Sequence, residues 1–167
     1  MKSEQITIIA LGVIALFLAG TLGFLFSERR GDDGSPKNFE FSTREIGAHN
    51  ALTQKQTRIV KSAGEWADLW NDMFPNQMIL SAINFNEKML IAVFQGQKNT
   101  GGYSIEITSM KEFDDYIEVN VKEISPGEGC LVTEALSSPY HIVEVKKTNK
   151  EIRFNIRQET TECDYPN

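Results

Sequence analysis

The sequence predicts a mostly β, α+β domain: an antiparallel sheet or sandwich of five to seven strands with one packed amphipathic helix, preceded by one N-terminal transmembrane helix. Three observations predict it. Short apolar runs with strict two-residue alternation recur through the second half of the chain. A single stretch carries apolar residues at helical spacing between clear start and stop signals. The first 28 residues hold an uncharged apolar run of about 20 residues, enough to cross a hydrocarbon layer about 30 Å thick.

The run is longer than the apolar region of a cleaved signal peptide, and its small residues Ala19, Gly20 and Gly23 lie inside it rather than after it. It therefore reads as an uncleaved anchor over 1–28. No cysteine adjoins it, which excludes a lipid-modified terminus there. Residues 29–38 are charged and glycine-containing without apolar period, and read as a flexible tether. The β-rich domain is expected over 39–167, with 167 residues in the chain altogether.

Within that domain 39–46 (FEFSTREI) alternates like a strand, and 57–62 (TRIVKS) is a short strand candidate. The helix follows at once. Ser62 is placed to cap it, Glu65 to close a capping box, and Pro75 to end it. Trp66, Leu69, Trp70 and Met73 make one apolar stripe, the usual contact of a lone helix lying on a sheet. Next, 88–96 (KMLIAVFQG) is continuously apolar and reads as a central strand buried on both faces. The segments 103–110, 116–124, 140–147 and 152–158 complete the set. A turn at 148–151 (TNKE) separates the last two strands.

Charge and composition narrow the function. The net charge is −6, and Lys and Arg nowhere cluster, so phosphate backbones are poor partners and no nucleic acid is expected. Cys130 and Cys163 are the two cysteines. They lack metal-like spacing, and an even pair in a small β-rich domain suits a disulfide in an oxidising compartment, which puts the domain outside the cytoplasm. His49 and His141 have no partner at ligand spacing and read as surface or rim residues. A Cys130–His141 nucleophile pair would lose its thiol to the disulfide. Phosphate-cradling loops, nucleophile elbows and dinucleotide fingerprints are missing from the sequence, so no cofactor, no metal and no catalysis are expected.

One connection stands out. Between the apolar strand and the next lies QGQKNTGGY, longer than a hairpin needs. Lys98, Asn99, Thr100, Gly101, Gly102 and Tyr103 offer donors, acceptors and a permissive backbone at a loop tip, the kind of position that carries recognition on a rigid sheet. Ser138, Pro139 and Tyr140 are expected to form a neighbouring patch. The amides of Gly101 and Gly102 are expected to pair with an extended partner peptide.

The stretches EWADLW, MLIAVFQGQKNTGGYSIEI, SPGEGC and SSPYHIVEVKK occur in this order, and the block they span resembles the C-terminal domain of the protease-complex subunit PrcB family over about 55–163. The resemblance implies an extracytoplasmic domain with no catalytic residues, acting as an accessory or assembly subunit of a subtilisin-like surface protease. The chain departs from the usual lipid anchor by carrying an apolar helix. A weaker likeness links the NTGGY loop to chagasin-type peptidase inhibitors, which insert several loops from one end of a sandwich into an active-site cleft. The expected function is therefore a membrane-anchored extracytoplasmic protein-binding module, with a peptidase inhibitor or a small-ligand surface sensor as alternatives.

Overall fold

A computed structural model describes residues 35–78 and 82–163. The expected transmembrane helix, and the tether up to residue 34, lie outside them. Among the described residues no helix is long and apolar enough to cross a membrane. From Pro36 onward the chain forms one compact unit.

Among the described residues eight strands and one helix build it: β1 (Lys37–Asn38), β2 (Phe41–Gly47), β3 (Gln56–Val60), α1 (Ala63–Met73), β4 (Lys88–Phe94), β5 (Ser104–Glu112), β6 (Tyr116–Pro126), β7 (Tyr140–Lys146) and β8 (Glu151–Thr161). They form two four-stranded sheets, ordered β1-β5-β6-β8 and β2-β7-β4-β3. The sandwich is as expected, with the added two-residue β1 taking the count past seven.

Two features depart from the antiparallel pairing that otherwise holds as expected. β8 pairs with β6 in parallel, from Tyr116 opposite Glu151 to Pro126 opposite Thr161. The 148–151 turn is also not a hairpin. Both neighbours of β7 are already taken, by β2 and β4, so the chain leaving β7 crosses to the other sheet and finds β6 running its own way.

Side-chain alternation then sorts the core into two layers. Met89, Ile91 and Val93 of β4, Val143 and Val145 of β7, Ile105 and Ile107 of β5, and Ile117, Val119 and Val121 of β6 pack between the sheets. The opposite face of β4, through Leu90, Ala92 and Phe94, packs with Tyr140 and Ile142 against Trp66, Leu69, Trp70 and Met73 of α1. β4 is thus buried on both faces, as its unbroken apolar run requires. The two tryptophans are core: their rings meet edge-on at 5.3 Å, and Trp70 Nε1 donates to the Gln77 carbonyl at 3.2 Å.

The start of α1 follows its sequence signals. Ser62 Oγ accepts the Glu65 amide at 3.2 Å, while Glu65 reaches one residue past the cap and accepts the Lys61 amide at 2.6 Å.

Candidate functional site

Strand register gathers three loops at one end of the sandwich. Gly47 lies opposite Tyr140, Gln56 opposite Phe94, and Ser104 opposite Ile124. The loops 48–55, 95–103 and 127–139 therefore all leave from the same end. They interlock by main-chain bonds rather than hanging free. Gln97 donates to the Thr53 carbonyl at 2.9 Å, and Ser138 donates to the Ala48 carbonyl at 2.7 Å. Lys98 and Ser137 exchange both main-chain bonds, at 2.7 and 3.1 Å. Ser137 Oγ adds a bond to the Thr100 carbonyl at 2.7 Å.

The glycines are explained by this interlocking. Gly96 sits at φ +77° where a side chain would come within 2.8 Å of the Lys55 amide nitrogen. Gly102, at φ +84°, would drive a side chain to 2.9 Å from Val132. Gly101 donates its amide to the Thr133 carbonyl at 2.9 Å. The diglycine bend is thus a seat for the 127–139 loop. It corrects the expectation of an open docking edge at Gly101, whose donor is already engaged within the chain.

Ser138, Pro139 and Tyr140 are corrected as well: all three are buried. The Ser138 hydroxyl donates to the Leu52 carbonyl at 2.9 Å, and Asn50 Nδ2 donates to the Ser138 carbonyl at 2.7 Å. Tyr140 packs beside Phe74 and Phe94, and burial, then the Glu45 charge, pushes its phenol above the ordinary range. The apolar neighbours that make 140–146 a central strand also pull the residues before it inward.

Asn99 remains exposed, with Lys98, Thr100 and Tyr103 half-exposed. Lys98 Nζ lies 5.4 Å from the centre of the Tyr103 ring, a cation–π contact that orders the tip. On the 127–139 loop Leu131 and Leu136 stand 88% and 58% exposed. No periodic signal in the sequence marks these leucines, because they lie in a loop. Cys130 and Cys163 form the expected disulfide, with Cα atoms 5.3 Å apart. It ties the base of the 127–139 loop to the chain just beyond β8, where Gly127 also donates to the Thr161 carbonyl at 2.9 Å.

His141 is corrected from rim to core. It continues the inward row of Val143 and Val145, and it joins the sheets: the Ile107 amide donates to Nδ1 at 2.9 Å, and Nε2 lies 2.9 Å from Thr43 Oγ1. An amide donor at Nδ1 requires a lone pair there, so in the neutral ring Nε2 carries the proton and donates to Thr43. The imidazole cannot then act as a base toward that hydroxyl. Burial lowers its pKa against a smaller opposing pull from Glu106. Among the described residues no group of His, Cys, Asp and Glu is arranged to hold a metal ion.

Residues 89–146 match the family model described as PrcB C-terminal. The matched span runs from β4 through β7, about a third of the chain, and contains both the diglycine loop and the 127–139 loop that rests on it. EWADLW on α1 lies before it. No match was found among curated proteins or among solved structures. The PrcB-like segment thus supplies both central strands of the helix-covered sheet and two of the three loops at the candidate end.

Proposed function

We propose that this protein is a non-catalytic accessory subunit of a protease complex, held at the outer face of a membrane by its first 28 residues and binding its partner through the loop end of the sandwich. The observation that carries the reading is an apolar pair, Leu131 and Leu136, held on a loop that is braced by main-chain bonds and a disulfide inside and beside a PrcB C-terminal match. A preordered loop loses little freedom on binding, and exposed leucines ringed by polar groups are the usual centre of a protein contact. Lys98, bridged by main-chain bonds to Ser137 beside Leu136, brings Asn99 and Tyr103 to the same end of the sandwich. The disulfide supports an oxidising compartment.

A peptidase inhibitor is the second reading, favoured by the gathering of three loops at one end. Purification of the full-length chain from its native membrane, with identification and assay of any co-purifying protease, separates the two. An accessory subunit co-purifies with a protease that remains active, and Leu131→Ser with Leu136→Ser releases it. An inhibitor leaves the enzyme blocked. Recovery of no protease under either condition would overturn both.

A further inference from the structure

The two sheets end on the same side in β3 and β8, each paired along one edge only among the described residues. Between them lies a cleft of about 380 Å³, just below the loop end. Its walls are apolar, from Phe94, Ile105 and Ile156, and Glu123 lines it as well.

Glu123 continues the inward row of Ile117, Val119 and Val121 and is 3% exposed, an unusual place for a carboxylate. Its Oε2 accepts the Lys55 ammonium at 2.8 Å and, weakly, Gln158 Nε2 at 3.4 Å. Oε1 lies as near the same ammonium, 2.8 Å away, but off the hydrogen-bonding direction, and it is buried with no hydrogen bond of its own. The side chain of Lys55 is 47% exposed and reaches in from the rim.

We propose that this cleft receives a basic side chain from an extended peptide segment lying along the β3 edge. Its cation takes the place of Lys55 on Glu123, and its methylene stem packs on Ile105 and Ile156. Three considerations select this occupant. A buried carboxylate whose two oxygens both lie 2.8 Å from one ammonium favours a cation and repels an acidic group. Exchanging one ammonium for another leaves the ion pair whole, while the displaced lysine returns to water, so burial of the incoming stem drives the exchange. The β3 backbone then offers ladder positions to the peptide, and Ile59, inward-facing yet 39% exposed, gives its next side chain an apolar contact.

This site goes beyond the loop-end reading: Lys55 alone comes from those loops, and none of its residues is among Leu131, Leu136, Asn99, Lys98 and Tyr103. The test uses the full-length protein in detergent and calorimetric titration with a short synthetic peptide of alternating Val and Thr carrying one central Lys. The same peptide with norleucine at the centre, and n-hexylamine alone, are the comparisons. The lysine peptide should bind at least about tenfold more tightly than the norleucine peptide. Glu123→Gln should abolish that difference. Lys55→Gln, which removes the resident cation, should tighten binding severalfold, and this variant keeps the test open should Glu123→Gln not fold. Leu131→Ser with Leu136→Ser should change nothing here. Equal binding of the two peptides, or weaker binding by Lys55→Gln, would overturn the proposal. Hexylamine binding as tightly as the peptide would overturn the strand as its source.

Discussion

The two sheets of this sandwich live in different surroundings. The sheet containing β4 and β7 has a layer on each side, the other sheet inward and α1 outward. The sheet containing β5, β6 and β8 has its core contact on one side. β4 accordingly buries Met89 through Phe94 without interruption, whereas β6 buries Ile117, Val119 and Val121 and leaves Glu118, Asn120 and Lys122 half-exposed between them. The number of layers on a strand is thus written in its hydrophobic period.

The sharpest way to break this comparison is to truncate both faces of one strand. Leu90→Ala and Ile91→Ala point to opposite layers, and each should cost about 2–5 kcal/mol in urea unfolding. In β6 the neighbouring pair should separate: Val119→Ala costs about 1–3 kcal/mol, and Glu118→Ala stays within about 0.5 kcal/mol. A cheap Leu90→Ala would mean that α1 does not cover its sheet.

Next in size is the disulfide, which braces the singly covered sheet. Its 33-residue separation corresponds to about 3.7 kcal/mol in the chain-entropy model, so Cys130→Ser with Cys163→Ser should lower the urea midpoint accordingly. Alkylation of the unreduced protein should leave both sulfurs unmodified.

The bond between the sheets comes third. The His141 pKa is lower in the folded chain than in the unfolded one, so the unfolded state takes up protons first as pH falls. Stability should be fully present above about 6.5 and decline as pH drops below it. His141→Leu should flatten that dependence and cost about 1–3 kcal/mol at neutral pH by stranding the Ile107 amide. An unchanged pH profile in the variant would remove His141 as its source. Smallest is the helix start, where Ser62→Ala should cost about 1 kcal/mol in thermal unfolding.

Much of this was legible. The helix with its cap and stripe, the doubly buried strand, the alternating strands and the cysteine pair all rest on local periodicity or local chemistry. What escaped depends on which elements meet. His141 looks like a polar residue at a strand start until the other sheet supplies an amide to it and the neighbouring strand β2 a hydroxyl. Glu123 falls on the inward row of β6 by alternation, but nothing local marks its partner Lys55, 68 residues away in the sequence. Ser138, Pro139 and Tyr140 resemble a surface turn, and only the neighbours of β7 draw them inward. The parallel pairing of β6 with β8 likewise has no local mark, because it follows from β7 having no edge left to offer.

One ring holds a wider consequence. β2 and β5 each carry an irregularity in register, between Thr43 and Glu45 and between Ile107 and Ser109, and the His141 imidazole touches the residue opening each. Greasy surfaces alone would let two stacked layers slip past one another by a residue at little cost. A rigid five-membered ring clasped from opposite layers forbids that glide, so the loop-bearing end keeps a single alignment of its two halves.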